Sequence, residues 1–340
     1  MTAFNHERKT IRDHLLSGSF DFDEMAMRVF HFQFEYNELY QVFCRHLDRT
    51  PQNVQSPDAI PFLPVRFFKS HEVKTGRFQP RLVFKSSGTT EMSRSQHLVR
   101  DPELYEQISS GIFEQVYSSL EEYIILALLP SYLEQGDSSL VYMVKTFMEK
   151  TNHASSTFYR YDYDRLRDDF LTLIHGPRKI ILWGVTYAMM DLAERYDWGE
   201  ISGPKLDDRL ILMETGGMKG RREELIRSEV HDTLQSAFGV RAVHSEYGMT
   251  EMMSQGYSKG HGIFEMSRTM RILAFDAQDP LTFVGDGPIG RCHVVDFSNV
   301  DSCSFIGTDD VCRTNGKKFE IIGRLDHSDV RGCNLLYRQS

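Results

Sequence analysis

From residue 80 onward, short runs of apolar residues alternate with segments that carry apolar residues at helical spacing. Short apolar runs are typical of buried strands, and amphipathic segments between them are typical of crossover helices. The pattern therefore predicts an α/β fold in which helices flank a sheet. The predicted strands are Leu82–Lys85, Tyr123–Leu129, Lys179–Val185, Arg209–Met213, Arg271–Phe275 and His293–Phe297.

Three segments between these strands are predicted to be helices, because apolar residues recur at helical spacing on a polar background. Asp101 and Pro102 have the sequence of a helix start. Aspartate can accept hydrogen bonds from the first free N–H groups, and proline suits the first helical position. The predicted helices are Pro102–Ser119, Asp162–Ile174 and Lys219–Phe238.

The section before the alternating pattern is predicted to be helical at first and irregular later. Prolines within Ile60–Lys69 rule out a regular helix there, and its aromatic residues either pack on the core or line an apolar substrate pocket. We therefore expect three parts. They are a helical and irregular segment over residues 1–75 that packs on the core, an α/β core over residues 76–322, and a short C-terminal tail over residues 323–340.

Composition and charge exclude several classes of function. A hydrophobic content of 41% in 340 residues suffices for a large core, so we expect a globular protein. The formal charge is −9 without a basic block, which argues against nucleic acid as a partner. The polar N-terminus lacks a signal-peptide core, and no apolar run is long enough to span a bilayer. A cytoplasmic location is therefore expected.

The cysteines do not form a disulfide pattern, because their number is odd and no C-x-x-C pair occurs. Cys292, Cys303 and Cys312, with His293, could supply zinc ligands, but their spacing matches no compact zinc module. Burial as small apolar residues is the favoured interpretation. The five cysteines are Cys44, Cys292, Cys303, Cys312 and Cys333.

The first predicted strand runs directly into a loop of small hydroxyl residues around one glycine. Glycine lets the backbone approach a ligand, and hydroxyl and N–H groups donate hydrogen bonds to anionic oxygens. Ligands of α/β sheets bind where strands end and loops begin. A phosphate cradle is one interpretation, and a solvated turn is the other. The loop residues are Ser86, Ser87, Gly88, Thr89 and Thr90.

Two glycines, Gly216 and Gly217, follow the strand predicted at Arg209–Met213. Paired glycines would let a flat ring lie against the backbone, although taken by themselves they favour a simple tight turn. Near the end of the chain, Asp310 offers a carboxylate for ribose hydroxyls, and Arg324 adds a cation. A solvated turn is the alternative at both positions.

The segment from His244 to Glu251 places an aromatic ring, a glycine, a hydroxyl and a carboxylate close together. Tyr247 can stack on a base, and Thr250 can bond a phosphate oxygen. Glu251 can hold Mg²⁺, which prefers hard oxygen ligands. These residues fit the chemistry of a nucleoside triphosphate. His244 and His97 could act there or be ordinary hydrogen-bonded histidines.

In this order and spacing, the segments resemble the acyl-adenylate-forming enzymes, which join a carboxylic acid to AMP. Residues 86–90 resemble the phosphate loop of that family, Gly216-Gly217 its adenine-facing turn, and residues 247–251 its tyrosine-to-glutamate motif. Asp310 looks like the ribose aspartate and Arg324 like the arginine that supports it. Residues 60–69 and 94–97 further resemble the LuxE-type acyl-protein synthetases, the fatty-acid-activating component of bacterial bioluminescence systems, and their phenylacetate-CoA-ligase-like relatives.

The resemblance implies that ATP and Mg²⁺ activate a carboxylic acid, of the fatty class, as acyl-AMP. The acyl group then passes to a thiol on Cys333, on a carrier protein or on coenzyme A. Catalysis would fall to Thr250, Glu251, Arg324 and Cys333, with Glu251 also the magnesium ligand. Acyl-carrier, reductase or transferase subunits are possible partners. The implied ATP and AMP contacts are Ser86, Ser87, Gly88, Thr89, Thr90, Gly216, Gly217, Tyr247, Gly248, Asp310 and Arg324.

Two departures from the family pattern concern charge. Glu91 stands where the phosphate loop usually continues with glycine. The chain also ends seventeen residues after Gly323 with no lysine beyond Lys318, so most of the mobile C-terminal domain with its catalytic lysine is expected to be missing. Arg324, Arg331, Mg²⁺ or a partner subunit could supply that positive charge.

Other interpretations of the same residues stay open. Cys333 could be the acyl acceptor, with Arg331 lowering its pKa, or it could pack beside Leu335 and Leu336 at the chain end. The protein could also be a transferase that receives a preformed acyl group. A third possibility is a nucleotide- or acyl-binding subunit without catalysis of its own.

Overall fold

The computed structural model describes residues 2–87, 94–130, 133, 136–198, 206, 208–216 and 225–325. Its N-terminal section begins with three helices, as predicted for this part of the chain. A side chain caps each helix by accepting hydrogen bonds from its first turn: Thr2 from Asn5 N, Asp21 from Asp23 N and Glu24 N, and Asn37 from Tyr40 N. The helices are α1 (Ala3–Ser17), α2 (Phe22–Tyr36) and α3 (Glu38–His46).

Buried polar contacts join these helices to a distant loop at residues 299–304. Gln33 Nε2 on α2 donates to the carbonyl of Asn299 at 3.0 Å, and its Oε1 accepts from Ser304 N at 2.8 Å. Asn37 Nδ2 donates to the carbonyl of Ser302 at 2.8 Å. All of these groups are buried, so each lost partner would leave an unsatisfied polar atom.

The proline-containing segment after α3 is irregular, as predicted, apart from three short elements, the first of which is a 3-10 helix at Pro57–Ala59. Strand β1 (Leu63–Pro64) pairs in parallel with residues 306–307. A single-turn helix, α4 (Phe67–Ser70), then begins three residues past Pro64. The segment therefore adds a short strand beside residues 306–307 just before α4 begins.

A small antiparallel sheet carries the predicted phosphate loop. It consists of β2 (Leu82–Lys85) and β3 (Gln96–Val99), with Leu82 opposite Val99 and Lys85 opposite Gln96. The prediction for the first strand is confirmed. The loop between these two strands contains Ser86 and Ser87 at its beginning.

The remaining strands join β1 in one large mixed sheet with helices beside it, and this confirms the predicted α/β class. The strand order is β11-β12-β13-β14-β10-β9-β8-β7-β6-β4-β5, with β1 beside β13. Strands β5, β4, β6, β7 and β8 are parallel, β1 is parallel to β13, and the other pairs are antiparallel. The strands are β4 (Tyr123–Leu128), β5 (Thr157–Phe158), β6 (Lys179–Val185), β7 (Leu210–Thr215), β8 (His244–Tyr247), β9 (Gly256–Ser258), β10 (Ile263–Glu265), β11 (Met270–Phe275), β12 (Ile289–Asp296), β13 (Phe305–Asn315) and β14 (Lys318–Arg324).

Each predicted strand overlaps an observed one, and β6 has the predicted bounds. The strands β8, β13 and β14 were not expected, because charged and hydroxyl side chains interrupt their apolar positions. Strand β14 ends at Arg324, two residues past the predicted core boundary at residue 322.

The predicted helices from Pro102 and Asp162 are also present, and Asp101 caps the first by accepting from Leu104 N at 3.1 Å. The third predicted helix starts at Lys219, and the observed helix begins at Arg227. Residues 217–224 lie outside the described part of the chain. The helices after α4 are α5 (Pro102–Tyr117), α6 (Ser139–Thr151), α7 (Tyr163–Leu173), α8 (Thr186–Arg195) and α9 (Arg227–Phe238).

The core lies around β4 and β6, which are buried along nearly their whole length on both faces. Four of the cysteines, Cys44, Cys292, Cys303 and Cys312, are free and buried, as the apolar interpretation predicts. Burial raises the pKa of Cys44 to about 12, so its thiol stays protonated. No helix within the described ranges is long and apolar enough to cross a membrane.

Candidate active site

A cavity of about 470 Å³ lies where β7 and β8 end, between the large sheet, α4 and the β2–β3 loop. Its position at the carboxyl ends of parallel strands is the usual one for ligands of α/β sheets. Six predicted site residues from distant segments line it together: Ser86, Ser87, Gly248, Thr250, Glu251 and Arg324.

The other predicted residues fall into two groups. Gly216, Tyr247 and Asp310 are described but do not line this cavity. The remaining predicted or considered positions lie outside the described residues, so their predictions stand untested. They are Gly88, Thr89, Thr90, Glu91, Gly217, Arg331 and Cys333.

Tyr247, Asp310 and Arg324 form a connected group beside the cavity. The Tyr247 hydroxyl donates to Asp310 Oδ2 at 2.8 Å, and Arg324 Nε lies 3.8 Å from Oδ1 of the same carboxyl. Asp310 and Arg324 face each other across β13 and β14. Burial raises the pKa of Asp310, against the hydrogen bond from Tyr247 and the charge of Arg324. The Asp310 carboxyl is thus held by Tyr247 at Oδ2 and faces Arg324 with Oδ1.

Glu251 is a buried carboxyl that borders the cavity and is 5% exposed. Burial raises its pKa, while a hydrogen bond from Ser95 and the charges of Arg324 and Lys69 lower it. Its backbone carbonyl accepts from Asn299 Nδ2 at 2.7 Å, which fixes the turn that carries it.

A magnesium ion could be held at Glu251 with help from a ligand. No group of three His, Cys, Asp or Glu side chains in the described part of the chain could bind a metal by itself. Mg²⁺ is commonly bound by one or two carboxylates together with substrate phosphates and water. Glu251 beside a cavity that hydroxyl and cationic residues also line fits that donor set.

His97 acts as a support for Thr250. Its Nδ1 lies 2.9 Å from the Thr250 carbonyl, and its Nε2 lies 3.0 Å from Ser302 Oγ. The ring is 1% exposed, and burial lowers its pKa to about 4. The neutral ring therefore donates from Nδ1 to the carbonyl and accepts from Ser302 at Nε2. This arrangement positions Thr250 at the cavity wall and leaves no nitrogen for a ligand.

The start of the β2–β3 loop is held by reciprocal hydrogen bonds. Ser86 Oγ accepts from Ser95 N at 2.8 Å, and Ser86 N donates to the Ser95 carbonyl at 3.1 Å. Arg94 Nε donates to the Ser86 carbonyl at 2.6 Å and its guanidinium pairs with Asp137. The two ends of the loop are thus joined beside the cavity.

Two cations that the sequence interpretation missed also line the cavity. Lys69 lies on α4, and Arg66 is the residue just before this helix. Their spacing of three residues would have placed both side chains on one face of a helix. The sequence signal was obscured by the neighbouring prolines and phenylalanines, which indicate core packing.

His244 lies elsewhere, in a second cavity of about 330 Å³ that Tyr117, Lys179 and Lys259 also line. Its Nδ1 is 3.0 Å from the Tyr117 hydroxyl, and burial lowers its pKa to about 4. His244 therefore has no contact with the candidate active site.

Solved structures of adenylate-forming ligases share this fold. An open conformation of 2-hydroxyisobutyryl-CoA ligase in complex with 2-HIB-AMP and CoA has 13% sequence identity and a TM-score of 0.63, over 93% of this chain and 70% of that chain. The ATP-bound RpMatB-BxBclM chimera B1 has 16% identity and a TM-score of 0.52, over 73% of this chain and 49% of that one. The chain thus spans about half the length of the chimera.

The fold is that of the adenylate-forming ligases, and a sequence family makes the assignment more specific. The family of acyl-protein synthetase LuxE matches residues 19–340, so the chain belongs to that family. The predicted relationship is confirmed. No curated protein matches the chain.

Proposed function

We propose that this protein activates a carboxylic acid with ATP, forming acyl-AMP and pyrophosphate in the 470 Å³ cavity. One observation carries the proposal. The cavity is lined together by Ser86, Ser87, Thr250, Glu251 and Arg324, whose side chains are hydroxyls, a carboxyl and a guanidinium. These residues come from segments as far apart in the sequence as positions 86 and 324. Donors for phosphate, a magnesium ligand and cations are all needed for this reaction.

In the proposed reaction, a carboxylate oxygen of the acid attacks the α-phosphorus of ATP. The bond from that phosphorus to the bridging oxygen of the β-phosphate breaks, and pyrophosphate leaves with the electron pair. Ser86, Ser87 and Thr250 donate hydrogen bonds to phosphate oxygens. Asp310 receives the ribose hydroxyls. Mg²⁺ at Glu251 would neutralise phosphate charge when bound.

Lys69 and Arg66 are proposed to neutralise the charge that develops at the α-phosphate. Both cations border the same cavity as Glu251, and the charge of Lys69 acts on the Glu251 carboxyl. Electrostatic stabilisation by one well-placed donor contributes about 3 to 4 kcal/mol in comparable sites. Neither residue was among the candidates that the sequence suggested for this role.

The second half of the proposal is transfer of the acyl group to a thiol. A thiolate attacks the carbonyl carbon of acyl-AMP, a thioester forms and AMP leaves. Membership of the acyl-protein synthetase family supports this step and a fatty acid as substrate. Cys333, a carrier protein or coenzyme A could be the acceptor.

Exchange of labelled pyrophosphate into ATP across a panel of carboxylic acids tests the first half. Glu251→Gln should lower the exchange rate by at least about a hundredfold. Glu265→Gln, at an exposed carboxyl on β10, is the matched control and should leave exchange unchanged. Exchange that survives in Glu251→Gln would remove Glu251 from the mechanism.

Absence of exchange with every acid of the panel would point to one of the rival functions. Acyl transfer from a preformed thioester without ATP use would identify a transferase. Binding of ATP without exchange or transfer would identify a binding subunit.

A further inference from the structure

Glu246, next to Tyr247 on β8, places a second buried carboxyl at the candidate active-site cavity. The side chain is 8% exposed and lines the cavity. One of its oxygens, Oε2, accepts a hydrogen bond from Thr215 Oγ1 at 2.8 Å. Within the described residues, no Lys, Arg or His nitrogen lies within 4.0 Å of this carboxyl. Glu246 thus differs from most buried carboxyls, which have a cationic partner.

The neighbouring carboxyl of Glu214 illustrates the difference. Glu214 is 5% exposed, yet Thr186 donates to it at 2.9 Å, and His231 and Arg227 lie 3.7 and 4.0 Å away. The Glu214 carboxyl therefore already has hydrogen-bond and cationic partners within the protein. The charge of Glu214 also acts unfavourably on ionised Glu246.

Gln255 supplies a second acceptor on the same wall. It is 3% exposed, lines the cavity and donates from Nε2 to the Met253 carbonyl at 3.2 Å. Its Oε1 is buried and has no hydrogen-bond partner in the part of the chain that the structure describes. A buried amide oxygen without a partner is costly unless a ligand provides a donor.

The side chains of Glu246 and Gln255 both lie against Gly248. A Cβ atom at this position would collide with Glu246 Oε1 and would lie 3.6 Å from Gln255 Cγ. Both side chains therefore flank the same glycine at the cavity wall. We call Glu246 and Gln255 the acceptor pair.

We propose that the acceptor pair binds a hydrogen-bond donor on the acid, an ammonium or a hydroxyl group, so that the enzyme activates an amino- or hydroxy-substituted carboxylic acid. The inference rests on the proposed function of the cavity. A plain hydrocarbon chain would leave Gln255 Oε1 without a partner and the Glu246 carboxyl with only its hydrogen bond from Thr215, whereas a hydroxyl supplies one further donor. An ammonium supplies three donors and also balances the charge of Glu246.

The experiment compares three acids of equal chain length: an alkanoic acid and its hydroxy- and amino-substituted forms, with substituents placed at successive carbons. Pyrophosphate exchange gives kcat/KM for each. The native chain should favour one substituted acid over the alkanoic acid by at least about a hundredfold, because polar sites strongly reject analogues that lack the donor. The same acids are tested for binding by equilibrium dialysis without ATP.

Glu246→Gln keeps the shape of the side chain and an oxygen for Thr215 while removing the charge. It should lower the preference for an amino acid substrate by at least tenfold, at about unchanged KM for ATP. The preference for a hydroxy acid should fall less, because its hydroxyl can still donate to the amide oxygen of the new glutamine. The exposed-carboxyl variant Glu265→Gln should keep the native preference.

The outcomes separate this inference from the proposed function. Equal or better exchange with the alkanoic acid overturns the inference and leaves acid activation intact. A rise confined to the KM for ATP in Glu246→Gln also overturns it, because the pair would then bind the nucleotide. Binding of a substituted acid that depends on Glu246, without any exchange, supports recognition of that acid by the acceptor pair and refutes acid activation. Absence of both binding and exchange overturns both.

Discussion

Replacing His97 with glutamine should change how the stability of the protein depends on pH. The His97 ring is 1% exposed and stays neutral, because burial lowers its pKa from 6.5 to about 4. In the unfolded chain the same ring has an ordinary pKa and takes up a proton at higher pH. Between pH 6.5 and pH 4 the unfolded state therefore binds more protons, and stability falls as the pH falls.

The two pKa values fix the size of this effect. A shift of about 2.5 units corresponds to about 3 kcal/mol over the full window, and about 2 kcal/mol of this is lost between pH 7 and pH 5. His97→Gln removes the titrating group, so that part of the pH dependence should disappear. At pH 7 the variant should be less stable by about 2 to 4 kcal/mol, because Thr250 O and Ser302 Oγ lose buried partners. The deficit should shrink by about 2 kcal/mol at pH 5.

Urea unfolding followed by tryptophan fluorescence at pH 7 and pH 5 measures the stability deficit of the variant and its change with pH. His46→Gln, at an exposed position on α3, serves as the control and should show no change in deficit between the two pH values. A deficit for His97→Gln that is equal at pH 7 and pH 5 would refute the account of a neutral buried ring.

Three further predictions concern the cavity. Lys69→Met should lower pyrophosphate exchange by about 10² to 10³-fold, while the control Lys74→Met, at a half-buried lysine that does not line the cavity, should not; equal rates would remove Lys69 from catalysis. Tyr247→Phe should destabilise the fold by about 1 to 3 kcal/mol in thermal unfolding, because buried Asp310 loses its 2.8 Å hydrogen bond. Gly248→Ala should reduce exchange and lower the melting temperature, since the added methyl group collides with Glu246 Oε1.

The sequence predicted the strand whose residues are almost all buried. Lys179–Val185 has the observed bounds because β6 is buried on both faces and so reads as one apolar run. The β8 strand was missed because only its middle residues, Ser245 and Glu246, are buried, and both are polar. Its position depends on pairing with β7 and β9, which no local pattern contains.

The candidate site was predictable where motifs carry the chemistry. Ser86, Thr250, Glu251 and Arg324 line one cavity, as their resemblance to a known family implies. The sequence could not show that α4 brings Lys69 to the same cavity, because this follows from the pairing of β1 with β13 just before α4.

The acceptor pair escaped prediction for a related reason. Glu246 and Gln255 are ordinary polar residues in the sequence, and their meaning comes from burial beside a cavity without a cationic partner among the described residues. His97 shows the converse, since a residue considered for catalysis has both ring nitrogens occupied by the fold.

Transfer of an oxygen isotope tests the central claim of acid activation most directly. The acid, labelled with ¹⁸O in its carboxyl group, is incubated with the protein, ATP, Mg²⁺ and a thiol acceptor, and the AMP is analysed by mass spectrometry. Attack of the carboxylate on the α-phosphorus followed by acyl transfer predicts one ¹⁸O atom in AMP and none in pyrophosphate. Unlabelled AMP, or label in inorganic phosphate with ADP as the other product, would contradict an acyl-adenylate intermediate.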